Sequence, residues 1–223
     1  MLTTYQDFIS RVDELGFMAL STIIQGFPSL SAETAGNLWH TGLDTDPWQW
    51  KDKAAQEKQL AYGCILGGHK GFVSVRMYPI FYAAYHLTET MPDRWMAGKV
   101  SQTTWRLWQL FEEKSSLYTS QARKLLGMPP KKGGNMLDTA IKELQRDYYI
   151  TVSGNEKKVN ADGHLYGWPS NTYTRVTDWV HGSWLNPAKD WQVEEARNLI
   201  LDEAASLSKV SDRRLLTRIF GFP

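Results

Sequence analysis

The residues with the clearest chemical potential lie in two places. The first is a stretch holding His40, Asp44 and Asp46 beside Trp48 and Trp50. An imidazole among carboxylates can bind a metal or divide acid and base roles, and flanking indoles can wall a ligand. These five residues form a candidate pocket. A lone histidine with two carboxylates has no specific ligand spacing, however, and each residue has a local role open to it. Asp46 ahead of Pro47 reads as a helix N-cap before a first-turn proline, Asp44 as a turn residue, and His40 as a packing partner of Trp39. No metal, no cofactor and no catalytic residue is therefore assigned.

The second place is a basic group: Lys131, Lys132, Asn135, Thr139, Lys142, Arg146, Lys157 and Lys158. The chain's net charge of +1 is unremarkable, but residues 98–160 hold eleven basic against six acidic side chains, leaving fourteen against eighteen elsewhere. A local surplus of that kind suits contact with phosphates, and it also suits a solvated face. Gly67-Gly68-His69-Lys70-Gly71 lacks the spacing of a phosphate loop and the hydroxyl after its lysine, so it reads as a turn. Cys64 is the single cysteine, which excludes an intrachain disulfide and a thiolate metal cluster; beside Gly63 and Ile65 it reads as a small core residue. His86, His164 and His181 have no evident partners, and Arg76 and Arg94 flank an aromatic run, either to bind an anion or to lie along its surface.

Apolar spacing supplies the elements that must position these groups. Tyr5, Phe8, Ile9, Val12 and Leu15 mark a helix capped at Thr3 or Thr4 and stopped at Gly16. A helix from Pro47 carries Trp50, Ala54, Glu57, Leu60 and Ala61 on related faces. Tyr78 to His86 is a buried aromatic helix, residues 87–98 are the best linker, and Trp191 to Leu207 and Ser211 to Phe220 are helices. Ten Trp and ten Tyr serve either a core built on aromatics or an exposed stacking surface.

Between them lies a consistent series. Ser101 to Lys114 is a helix with Trp105, Trp108 and Phe111 on one side; Ser120 to Leu126, capped by Thr119 or Ser120, is a second; and Leu137, Ala140, Ile141 and Leu144 are the core stripe of a third. That stripe turns Asn135, Asp138, Thr139, Lys142, Gln145 and Arg146 outward. Tyr148–Val152 then pairs antiparallel with Tyr173–Thr177 around a polar tip holding Lys157 and Lys158. Helix, helix, helix and hairpin in that order is a winged helix-turn-helix. The expected fold is thus mostly α with a small β wing: an aromatic-rich helical subdomain at 1–97, the winged helix at 98–180, and C-terminal helices at 181–223 packing on the first.

Two stretches, Asp46-Pro-Trp-Gln-Trp-Lys-Asp-Lys-Ala-Ala with Ala61-Tyr-Gly, and Gly167-Trp-Pro-Ser-Asn-Thr-Tyr-Thr-Arg-Val-Thr-Asp-Trp, resemble segments of bacterial proteins related to AlkZ, the crosslink-repair DNA glycosylase. The resemblance implies a winged-helix protein linked to DNA repair, with double-stranded DNA as partner. It stops short of the chemistry. The glycosylases stack several winged helices and hold the attacking water with Gln-x-Gln or Gln-x-Asp; here one winged helix is found and the nearest triplet is Gln192-Val193-Glu194. Nucleic-acid binding, in repair or regulation, is favoured over excision. The alternatives are a protein-interaction module and a divergent glycosylase whose water is activated by Asp44, Asp46 or Glu57. No signal peptide or membrane-length apolar run is visible, so a cytoplasmic protein is expected.

Overall fold

The computed structural model describes residues 1–129, 134–159 and 165–223, with backbone alone at 134, 157–159 and 165–168. The first helix is α1 (Tyr5–Leu15), where the Thr4 hydroxyl accepts from the Asp7 amide and the Asp7 carboxylate accepts from the Thr4 amide, a complete capping box. Next come β1 (Phe17–Ala19), α2 (Leu30–Glu33) and α3 (Pro47–Gln56). The expected helix through Leu60 and Ala61 is instead interrupted. Lys58 takes a positive φ after α3 ends, and the chain enters a hairpin of β2 (Leu60–Leu66) and β3 (His69–Ser74). Gly67 and Gly68, both with positive φ, make its turn.

The middle of the chain supplies α4 (Tyr78–Tyr85), α5 (Met91–Met96), α6 (Gln102–Glu113), β4 (Leu117–Tyr118), α7 (Thr119–Leu125) and α8 (Gly134–Arg146). Then follow β5 (Ile150–Val159), β6 (Leu165–Arg175), α9 (Val176–Trp179), α10 (Gly182–Leu185), α11 (Val193–Ser208) and α12 (Arg213–Phe220). About half of the described residues are helical, so the mostly-α class stands. The β content is larger than one wing, because β1, β3 and β2 form an antiparallel sheet of their own. The second sheet has the order β4-β6-β5 and is also antiparallel. In it Ile150, Thr151 and Val152 face Arg175, Thr174 and Tyr173. Tyr148 and Tyr149 precede the strand, Tyr148 with a positive φ in the turn out of α8, and Tyr118 rather than Thr119 or Ser120 occupies the N-cap of α7.

The first sheet is buried on both sides. Phe72, Leu60 and Tyr62 pack with Phe8, Trp50, Leu107, Leu137 and Leu144, while Val73, Ala61 and Leu66 pack with Phe81, Tyr85, Ile200 and Phe220. The aromatic residues are largely core: Trp50, Tyr62, Tyr78, Tyr148 and six phenylalanines, Phe220 among them, are fully enclosed.

Residues 87–98, expected as a linker, hold the helix α5. Thr90 caps α5, and Arg94, 5% exposed, reaches Asp147 at the end of α8 at 3.0 Å and Glu143 at 3.9 Å. A buried guanidinium between two carboxylates ties this segment to α8 instead of separating it.

Candidate functional site

The buried stripe of α8 is as its periodicity predicts: Leu137, Ala140, Ile141 and Leu144 are each 5% exposed or less. Asn135, Asp138, Thr139 and Lys142 are exposed on the other side. Gln145, expected to face outward, is buried. Its Oε1 accepts from the Cys64 amide at 3.1 Å and its Nε2 donates to the Ile141 carbonyl at 3.2 Å. The cause is the β2–β3 hairpin, which lies over the C-terminal half of α8. Gly63 and Gly68 permit the approach: a Cβ on Gly63 would sit 2.5 Å from Gln145 Oε1, and one on Gly68 2.8 Å from Lys142 Cε. Arg146, half-exposed, is held in a two-pronged pair with Asp147 at 2.7 and 3.1 Å. The open part of α8 is therefore its N-terminal half and Lys142.

A cavity of about 280 Å³ lies where the hairpin meets α8, lined by Cys64, Lys70, Lys142, Gln145, Asn171 and Tyr173 among others. Cys64 is half-buried rather than core; burial raises its thiol pKa, against the pull of Lys70 and Lys142. Burial and then Lys142 lower the pKa of His69. Two lysines face one carboxylate, Asp138, in this lining. Lys157 and Lys158 lie on β5, their side chains outside the described residues; Lys131, Lys132 and His164 also lie outside them.

The five-residue candidate pocket is only partly assembled. Asp46, 1% exposed, accepts from the amides of His40 at 3.0 Å, Gly42 at 3.0 Å and Trp48 at 2.9 Å, so its carboxylate is occupied by the backbone. Asp44 contributes its carbonyl to the Trp50 indole at 2.7 Å, and Trp50 lies in the core against Phe8. Glu57 accepts from Tyr5. His40, Asp46 and Trp48 do line one cavity of about 620 Å³, shared with Asp52, Lys53 and Asn155. Among the described residues no group of three His, Cys, Asp or Glu is placed to hold a metal. His86 stacks on Tyr82 at 4.4 Å with its Nδ1 3.2 Å from the Asp147 carbonyl oxygen, and His181 occupies the N-cap position of α10 without a side-chain capping bond.

Sequence reasoning missed the most unusual charges here. Lys51 and Asp52 are 3% and 4% exposed and pair at 2.6 Å. The Lys51 ammonium sits 4.3 Å from the centre of the Trp48 ring and 5.4 Å from that of Tyr62, and Asp52 also accepts from Asn155 of β5 at 2.6 Å. Burial lowers the Lys51 pKa against the opposing pull of Asp52, and burial and then Asp52 raise that of the Tyr62 phenol. A signal was available: Lys51 stands three and four residues before Ala54 and Ala55, on the buried side of α3.

The two stretches that carry the family resemblance also meet. Asp46, Trp48 and Asp52 from the first and Pro169 from the second line the larger cavity, and the Trp179 indole donates to the Ala55 carbonyl at 3.2 Å. Residues 2–221 match the family model described as AlkZ related. The chain belongs to the AlkZ-related family. Comparisons with curated proteins and with solved structures gave no match. Membership spans both the α8 surface and the cavity beside α3, so both are features of this AlkZ-related chain. Among the described residues no helix is long and apolar enough to cross a membrane.

Proposed function

We propose that the chain is a winged-helix DNA-binding protein that engages double-stranded DNA in repair. The observation that carries this reading is the succession α6, β4, α7, α8, β5, β6 with strand order β4-β6-β5, leaving Asn135, Thr139 and Lys142 exposed on α8 beside the β5–β6 hairpin. A helix presented in this way fits a major groove, and a basic hairpin beside it fits the flanking backbone. Family membership links the chain to DNA repair. Because the β2–β3 hairpin covers Gln145 and crowds Lys142, base contacts fall to the N-terminal half of α8, with Lys142 and Lys70 directed to phosphates. The reading assigns binding and not excision: Gln192 only occupies the N-cap position of α11, and Glu194 pairs with Arg197 on the same helix.

The test is a fluorescence anisotropy titration of a mixed-sequence duplex at about 50 and about 200 mM salt. Affinity should fall with salt, and replacing Lys157 and Lys158 together by alanine should flatten the log–log slope by about 2. Replacing Asn135 or Thr139 should change sequence preference with little change in that slope. No binding at tens of micromolar protein in low salt would leave the fold as an interaction scaffold.

A further inference from the structure

Three charged side chains face the cavity of about 280 Å³ between the β2–β3 hairpin and α8, and none of them is matched. Lys70 of β3 and Asp138 and Lys142 of α8 enter no ion pair or side-chain hydrogen bond among the described residues, although Asp138 stands four residues before Lys142. The two ammonium groups share one neighbourhood. Lys142 runs along the hairpin turn, its Nζ 3.5 Å from where a Cβ on Gly68 would lie, and both lysines are near enough to the Cys64 thiol for their charges to act on it. A fourth polar group is almost wholly buried. Tyr62 is 1% exposed, yet its hydroxyl is not sealed from solvent and hydrogen-bonds to none of the described residues. Burial and then Asp52 raise its pKa, so the phenol stays protonated and is a hydrogen-bond donor. An unanswered hydroxyl at such a depth costs free energy unless something in the cavity accepts from it.

Two ammonium groups and a phenol donor call for an anion, and Asp138 decides which one. The lining carries one net positive charge, the match for a monoanion. An oxyanion without a proton would turn a lone pair toward the Asp138 carboxylate, whereas an acid oxyanion would donate to it. Phosphodiesters and sulfate have no such proton near neutral pH. A phosphate monoester has one within reach: its second pKa is about 6, so keeping the last proton costs little. The cavity lies just below the volume range of small-molecule sites, which suits a compact headgroup with its ester arm leading out. We propose that this cavity binds a phosphate monoester as its monoanion, with Lys70, Lys142 and the Tyr62 hydroxyl holding its oxygens and its P–OH donating to Asp138. In a protein that lays α8 against DNA, such a group is the phosphate at a strand end. That source rests on the DNA binding proposed above, while the anion chemistry rests on the cavity alone.

The experiment uses the full chain with three duplexes of one sequence, ended by hydroxyls, by phosphates or by methyl phosphates, and with inorganic phosphate and sulfate as free probes. Fluorescence anisotropy reads the duplexes. The free anions are read by alkylation of Cys64 with iodoacetamide, a neutral reagent; Cys64 is the single cysteine and lines the cavity, so the rate reports on this place alone. The phosphate-ended duplex should bind about tenfold more tightly than either other duplex, the size of one charge-assisted contact. Phosphate should slow the alkylation, and sulfate at equal ionic strength should not. Tyr62→Phe keeps the buried ring, removes only an unbonded hydroxyl and should weaken both responses. Asp138→Asn, on the exposed side of α8, should admit sulfate and the methyl phosphate end, because an amide can donate to an oxygen that has no proton. Protection by phosphate and not by sulfate, without a preference among the duplexes, supports the site with a free phosphate monoester as its source and overturns the strand-end source. Equal protection by the two anions in the parent protein overturns the proposal. Duplex binding without an end preference, and no protection by either anion, overturns the site and leaves DNA binding standing. Silence toward all five probes overturns both.

Discussion

Asp147→Asn should destabilise the protein by about 3 kcal/mol, the low end of the range for removing one partner of a buried ion pair. Asp147 is 5% exposed, forms an ion pair with Arg94 at 3.0 Å and accepts from Arg146 at 2.7 and 3.1 Å. Arg146 is 42% exposed in its side chain and can turn to water, so its share of the loss is small. Arg94 cannot. Its Nε and Nη1 have no hydrogen-bond partner among the described residues, and after the substitution only Glu143 at 3.9 Å remains opposite it. That residual pairing is the reason for the low end. For a chain of this length the loss corresponds to a fall in Tm of about 6–12 °C. Urea unfolding followed by tryptophan fluorescence reads it directly, with an unchanged m-value showing that the unfolded state is not the cause. The double variant Arg94→Met/Asp147→Asn should recover most of the loss, since an apolar side chain needs no counter-ion and Glu143 keeps its bond to Thr104 at 2.7 Å. A single variant within about 1 kcal/mol of the parent, or a double variant showing the sum of two separate losses, would refute the argument.

Two further outcomes follow from close packing and burial. Gly67→Ala should lower stability clearly more than Gly127→Ala. Both glycines have positive φ, at 60° and 68°, which costs an alanine about 1–2 kcal/mol, but a Cβ on Gly67 would overlap the Phe220 backbone while one on Gly127 meets nothing within 4 Å. Equal shifts in thermal melts would show that the hairpin turn is not clamped by the end of α12. Stability should also decline as pH falls below about 6.5, because burial lowers the His86 pKa in the folded protein while the unfolded chain takes up its proton near the ordinary value. The contribution is complete above the unfolded pKa and is lost toward the lower folded one; His69 shifts the same way and adds to it. His86→Gln should flatten that slope in urea midpoints measured from about pH 7.5 to about 5, and a stability that rises on acidification would reverse the sign of the argument.

Sequence alone determined the elements whose causes are local. The helical repeat of Leu137, Ala140, Ile141 and Leu144 predicts the face that α8 buries, and Asp46-Pro47 predicts where α3 starts, because a cap and a first-turn proline act on neighbouring backbone. The pairing of Ile150–Val152 with Tyr173–Arg175 was legible too, since the β-branched and aromatic runs on either side of a polar turn can satisfy their backbones against each other. The first sheet was not. Leu60 to Leu66 is covered by one core on each side, which removes the polar–apolar alternation that marks a strand. Tertiary structure alone decided which of the polar residues at regular helical positions reach solvent. Gln145 looks like a surface residue until the hairpin lies over it, and Lys51-Asp52 looks like an ordinary charged helix face until Asn155, 103 residues from Asp52, arrives opposite. Burial is a property of what packs against a residue, and for these residues the covering groups come from remote parts of the chain.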